Sequence, residues 1–215
     1  MVFGVNVVNV DTFILKDGYL YLIGGMAGST ALSVIDLTNT SISGWTYGPY
    51  LNEGRTKAVC IVDEETDILY AIGGEGRKTV ETLAITLTNS SWRLLDNVLP
   101  SEFCCGQAMM YGDYILLIGS ETESSEMTVL VIDRFNHSMY SADGLSFVTP
   151  RVGASSIIID GILYVFSGDD MEGNGLTSWE YACLDGDWYV LSFSVHYVEC
   201  DGHKMMDCEQ LISYH

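Results

Sequence analysis

Four side chains near the C-terminus come closest to a metal-ligating set. His196, Cys200, His203 and Cys208 follow one another as H-x3-C-x2-H-x4-C, and structural zinc sites take four nitrogen and sulfur ligands of this kind. The spacing matches no familiar zinc finger. Cys200 and Cys208 could equally close a nine-residue loop as a disulfide or remain thiols, and the sequence leaves all three readings open. Cys104 and Cys105 are adjacent. In an extended strand neighbouring side chains take opposite faces, so one is expected inside and the other is expected to pair elsewhere. Cys60 in AVCIV and Cys183 in YACL read as small core residues. None of these thiols has an assignable activating partner.

Carboxylates form a second group. Glu75, then Glu121 with Glu123, then Asp169, Asp170 and Glu172 each follow a glycine-containing dipeptide. Calcium needs several oxygen ligands, but GDDMEGNG does not have the EF-hand spacing, and a solvated acidic rim is the expectation. Against this background Arg55, Arg77, Lys78 and Arg151 stand out, either as anchors for a carboxylate-bearing partner or as members of local ion pairs. N-x-[ST] triplets at Asn39, Asn89 and Asn136 are glycosylation acceptors if the chain is secreted, or accidents of a repeated turn. There is no nucleophile elbow, phosphate-binding glycine loop, HExxH or paired-carboxylate motif. No catalytic residue is therefore assigned and no cofactor is expected.

Composition narrows the partners. The 215 residues are 48% hydrophobic and 18% charged, enough to bury a sizeable core. With 29 acidic and 9 basic residues, the formal charge of −20 repels phosphate backbones and anionic lipid. Nucleic acid is excluded as an expected partner; the charge favours basic protein partners, divalent cations or simple solubility, and solubility is the commonest reason for such a balance. The opening MVFGVNVV has no basic segment before an apolar run, so it does not read as a signal peptide. No apolar run approaches the roughly 20 residues that span a bilayer, so no membrane insertion is expected. The compartment stays open: extracellular or cell-surface if the chain is part of a secreted protein, cytoplasmic otherwise.

A repeat organises the elements that must carry these residues. YLYLIGG (19–25), ILYAIGGEG (68–76), YILLIGS (114–120) and ILYVFSGDD (162–170) are apolar runs ending in Gly-Gly, Gly-Gly, Gly-Ser and Ser-Gly. The second members, Gly25, Gly74, Ser120 and Gly168, lie 49, 46 and 48 residues apart. An aromatic follows each at 20, 18, 20 and 20 residues: Trp45, Trp92, Tyr140 and Trp188. The runs are short and rich in β-branched and aromatic residues, and they are bounded by turn dipeptides such as Asp17-Gly18, Asp143-Gly144, Asp160-Gly161 and Asp185-Gly186. Each unit offers about four strands. In the second they are expected near 58–62, 68–73, 81–87 and 92–95, and no stretch reads as a capped helix.

The glycine pair after an apolar LY run, with Trp about 20 residues on after an I-D-x-x-N turn, resembles the kelch repeat over roughly residues 8–193. The resemblance implies an all-β, kelch-type β-propeller of about four recognisable blades near 8–51, 55–98, 104–147 and 151–193. It also implies a 194–215 tail that could supply a closing strand. The glycines Gly24, Gly25, Gly73, Gly74, Gly119 and Gly168 would let strands leave a crowded centre, and the aromatics would pack between blades. Kelch units often begin with Arg, matched only by Arg55 and Arg151, so an arginine-lined pocket is half present. Four units are few for such a propeller. They imply a compact ring, an incomplete one, or closure by association, including self-association. The function expected is a non-enzymatic protein-binding scaffold, meeting its partner through a loop face or an open blade edge. The alternatives are an extracellular structural glycoprotein or a sugar- or metal-binding propeller enzyme.

Overall fold

A computed structural model of the protein describes residues 12–25, 29–38, 44–85, 89–120, 127–142, 151, 153–170, 172–184 and 195–198. All of the regular structure described is β. Four antiparallel sheets each take four strands in chain order. The first holds β1 (Thr12–Lys16), β2 (Tyr19–Ile23), β3 (Leu32–Asp36) and β4 (Thr46–Tyr47), and the second β5 (Val59–Asp63), β6 (Ile68–Ile72), β7 (Val80–Ala84) and β8 (Arg93–Leu94). The third holds β9 (Cys104–Tyr111), β10 (Tyr114–Ser120), β11 (Thr128–Asp133) and β12 (Met139–Ser141). The fourth holds β13 (Ser155–Ile159), β14 (Ile162–Phe166), β15 (Trp179–Cys183) and β16 (Val195–Val198), so its last strand falls beyond the unit limit read at residue 193.

Local chemistry explains the hairpins. Asp17 and Gly18 have φ of 50° and 81°, and Asp160 and Gly161 have 50° and 74°. Two left-handed residues in a row make the tight turn whose twist matches antiparallel strands, and Asp-Gly is suited to it. These turns join β1 to β2 and β13 to β14.

In the second and third sheets burial of both faces explains why the strands read as continuous apolar runs rather than as alternating ones. On β6, Tyr70 and Ile72 face a core shared with Ile115, Leu117, Leu130 and Ile132 of the third sheet. Leu69 and Ala71 face the other way, onto a core shared with Ile14, Ile23 and Leu32 of the first. On the third sheet, Leu116, Ile118, Val129 and Val131 pack against Leu163, Val165 and Ala182 of the fourth. The first strands lie against one another in sequence, β1 on β5, β5 on β9 and β9 on β13.

The aromatic landmarks are not all equivalent. Trp92 is 4% exposed, packs in the core between the first and second sheets and donates its indole N–H to the Pro49 carbonyl at 3.0 Å. Trp45 is half-buried. Tyr140, expected at the same place, packs on the side of the fourth sheet, and Met139 packs on the side of the second. Side chains alternate along a strand, so a one-residue difference in register moves the aromatic to the opposite face. Trp188 lies outside the described residues.

The glycine pairs mark where the next sheet's chain crosses. Gly25 N–H donates to the Arg55 carbonyl at 3.1 Å, and Gly74 N–H donates to the Phe103 carbonyl at 2.8 Å. Gly73 has φ +61°, and a Cβ there would come 2.2 Å from the Phe103 carbonyl oxygen. The third unit departs from this pattern. Gly119 sits at a register shift between β9 and β10, where a Cβ would meet the Cys104 carbonyl at 2.8 Å, and β10 runs on to pair Ser120 with Cys104. In the fourth unit Ser167 takes φ +63° without being glycine.

Gly76 shares the positive φ of Gly73, at 71°, but has open space where a Cβ would go. Gly76→Ala should therefore cost only the backbone penalty, about 1–2 kcal/mol, and Gly73→Ala should cost clearly more; urea denaturation of the two variants makes the comparison. Trp92→Ala should cost about 3–5 kcal/mol by the same measurement.

Candidate functional site

A cleft of about 330 Å³ crosses the first strands of all four sheets, lined by Phe13 of β1, Cys60 of β5, Gln107 and Met109 of β9 and Ser156 of β13 among others. Gln107 Oε1 accepts hydrogen bonds from the Ser156 N–H and hydroxyl, both at 2.7 Å, which tie the third and fourth walls together. Phe13 is 71% exposed. The glycine-pair turns after β2 and β6 meet the connections after β4 and β8 at one end of the strands, through the Gly25 and Gly74 hydrogen bonds to the Arg55 and Phe103 carbonyls. Arg55, Arg77 and Lys78 lie on these segments, and Arg151, Asp169 and Asp170 lie on their counterparts before β13 and after β14.

Two of those residues are not on the surface. Arg55 and Arg151, considered as anchors for an external carboxylate, are both fully buried against the chain's own Glu81 and Glu180. Arg55 Nη2 lies 3.0 Å from Glu81 Oε1, Nη1 donates to the Gly73 and Thr79 carbonyls, and Nη2 donates to Thr79 Oγ1 at 3.1 Å. Glu81 Oε2 also accepts the Asn52 backbone N–H at 2.7 Å and side-chain N–H at 2.8 Å. Arg151 repeats the plan with the Ser167 and Ser178 carbonyls, Ser178 Oγ and Glu180 Oε1 at 3.2 Å, but its Nε is left without a partner. A buried guanidinium needs a carboxylate and several acceptors, and here one strand of its own sheet supplies the carboxylate and the turn before that strand supplies the acceptors.

The first and third sheets lack this device for a visible reason. Glu81 pairs across the sheet with Ala71, and Glu180 with Val165; the corresponding partners in the first and third sheets are Ser33 with Leu22 and Leu130 with Leu117. Phe103 stands where Arg55 stands, its carbonyl receiving the preceding sheet's glycine N–H, and it packs with Leu130 in one apolar core. An apolar pair thus replaces an ion pair at the same place. The signal was present in the sequence as single carboxylates inside the apolar runs VETLA and WEYAC, in only the units that begin with Arg.

The remaining site residues are more exposed. Arg77 Nε donates to the Gly54 carbonyl at 2.8 Å and Nη1 reaches Glu53 at 3.3 Å, leaving the side chain 38% exposed. Lys78 Nζ donates to the Pro100 carbonyl at 3.0 Å, and Lys57 lies 3.5 Å from Glu75. Asp170 folds its own loop: Oδ1 accepts from the Glu172 and Asn174 N–H groups at 2.9 and 2.8 Å, and Oδ2 from Asn174 Nδ2 at 2.8 Å. The Asn174 hydrogen bonds are the main cause holding its carboxyl below the usual range. Asp169 and Glu172 are exposed beside it. Among the described residues no group of three or more His, Cys, Asp or Glu is placed to hold a metal. Glu121, Glu123, Cys200, His203, Cys208, Asn39 and the side chain of His196 lie outside the described residues. Asn89 and Asn136 are exposed.

At the opposite end, cations that the sequence did not single out clamp the sheets. Lys16 of β1 reaches Asp67 at 2.9 Å and Glu64 at 3.2 Å in the β5–β6 turn, and Arg134, after β11, reaches Asp63 at 3.2 Å and Asp113 at 3.4 Å and also pairs with Glu65. Between the second and third sheets the Tyr70 hydroxyl is buried without a hydrogen-bond partner, and burial pushes it up to about 12. Burial also holds His137, its ring neighbour at 6.2 Å, below the ordinary imidazole value.

No family model and no curated protein matches the chain. Among solved structures its fold is similar to that in "Structure of YjhT", with a TM-score of 0.68 at 13% identity, over 87% of this chain and 63% of that one. This chain therefore spans less than two thirds of that chain, and at that identity the likeness is one of fold alone.

Glu81→Leu strands Arg55 in the interior and should cost about 3–5 kcal/mol. Adding Arg55→Phe, which copies the Phe103 and Leu130 arrangement, should recover part of that loss. Denaturant titration of the single and double variants gives the coupling, and strict additivity of the two changes would contradict it.

Proposed function

We propose that this chain carries four blades of a kelch-type β-propeller and acts without catalysis, as a scaffold that binds a basic segment of another protein. The glycine and aromatic repeat, the four-stranded meanders set side by side through their first strands, and the fold likeness support the architecture. One observation carries the binding role. In a chain with 29 acidic and 9 basic residues, Lys16, Arg55, Lys57, Arg77, Arg134 and Arg151 all form internal ion pairs. At the loop end the exposed carboxylates of Glu75, Glu102, Asp169 and Glu172 outnumber the exposed Lys78, so the net charge of the described residues there is negative. Such a face attracts cationic peptide and repels nucleic acid.

A second reading, a secreted glycoprotein, is favoured by the exposure of Asn89 and Asn136. Glycosidase-sensitive mass on the protein from its natural source distinguishes it from the first.

Calorimetric titration with a lysine-rich peptide, against a neutral peptide of equal length, tests the binding role. The lysine-rich peptide should bind at low salt and weaken at high salt. Asp169→Asn with Glu172→Gln should lower its affinity by about fivefold to tenfold, or ~1–1.4 kcal/mol. Equal binding of the two peptides, or turnover of a small substrate in the cleft, would sink the reading.

A further inference from the structure

Cys104 and Cys105 do not take opposite faces as an extended strand would require. Cys105 has φ +54°, a left-handed conformation, and the two sulfurs lie 2.7 Å apart on one side of the chain. Cys104 is fully buried and Cys105 half-buried. Gly106 and Gln107, the next two residues, line the cleft, and the Cys105 N–H faces the Lys57 carbonyl at 3.4 Å. The pair therefore stands at the cleft rim, where the second and third sheets meet.

We propose that Cys104 and Cys105 form a reversible dithiol–disulfide couple, oxidised by low-molecular-weight disulfides and independent of the binding role above. A disulfide bond is about 2.05 Å long, so the sulfurs need to close by only about 0.6 Å. Neighbouring Cα atoms across a trans peptide are about 3.8 Å apart, below the ordinary disulfide range of roughly 4.4–6.8 Å. A bridge between adjacent residues is consequently strained and easily reduced, which is the character of a switch rather than of a structural staple.

The exchange balances. The more accessible Cys105, as thiolate, attacks one sulfur of the oxidant; the oxidant's S–S bond breaks, one thiolate leaves and takes up a proton, and a mixed disulfide remains on Cys105. Cys104 then gives up its proton and attacks the Cys105 sulfur, expelling the second thiolate, which is protonated in turn. Two protein thiols lose two electrons and two protons, and the oxidant becomes two thiols. Burial, and then the hydrogen bond with Cys105, push the Cys104 thiol up to about 12, so Cys105 starts the exchange, and Cys104 resolves the mixed disulfide because its sulfur already stands beside that of Cys105.

Trypsin releases residues 94–134 as a peptide containing these two cysteines and no others. The folded full chain is treated with glutathione disulfide, quenched in acid, unfolded, alkylated and digested. The expected peptide is lighter by two hydrogens, takes no alkyl group, and takes two after reduction. Cys104→Ser is expected to hold a stable glutathione adduct on Cys105. Two alkyl groups on the oxidised wild-type peptide, a link from it to another cysteine peptide, or a persisting glutathione adduct on the wild type would each overturn the proposal. The wild-type map decides the matter even if the variant fails to fold.

Discussion

Successive sheets cross so closely that a main-chain carbonyl of one occupies the space a side chain would need in the one before. A Cβ on Gly73 would meet the Phe103 carbonyl and one on Gly24 that of Arg55, and the glycines that follow, Gly74 and Gly25, donate their N–H groups to the same two carbonyls. The crossing sets the separation of the sheets, and with it the thickness of the apolar layers between them. It also fixes where Arg55 enters. Its main chain is held by Ser29 and Gly25 of the first sheet, while its guanidinium reaches the turn and strand of the second. One residue thus joins two sheets through its backbone and organises the second through its side chain.

The same place is filled by charge in the second and fourth sheets and by hydrocarbon in the third. Exchange of a buried ion pair for an apolar pair of similar bulk is often neutral in stability, whereas either half alone is costly. The two solutions therefore persist in one molecule as complete sets, Arg with Glu or Phe with Leu. The charged solution also satisfies turn carbonyls, which an apolar pair cannot do, and the third sheet accordingly closes its turn differently, by extending β9 and β10 past Gly119.

Much of this was legible in the sequence because the repeat recurs four times in register, and the strand positions of the second unit agree with it to within a residue or two at most ends. Two kinds of detail escaped. The equivalence of Tyr140 with Trp92 failed: Tyr140 packs between sheets, but on the opposite face, since a spacing of 20 residues does not fix parity when loops differ in length. Side-chain direction failed at Cys104 and Cys105, where one left-handed residue overrides the alternation expected of a strand. The partners of Arg55 and Arg151 were within reach, because a carboxylate in the middle of an apolar run that is covered on both faces requires an internal cation. Lys16 and Arg134 gave no such signal, because most of their partners lie on the end of β5 and the β5–β6 turn of the neighbouring second sheet, which only the assembled fold brings near.

The described apolar cores lie at three junctions: first sheet to second, second to third, and third to fourth. The inner two sheets are thus held from both sides, whereas Phe13 and Leu15 of the first and Ile157, Ile159 and Phe166 of the fourth remain exposed. In such an array stability is approximately a sum of unit and nearest-neighbour terms. Opening then begins at an outer member, which gives up one interface, and not at an inner one, which would give up two. A row of plates coupled through these three described interfaces alone would fray from its ends and keep its most protected amides on β6 and β10.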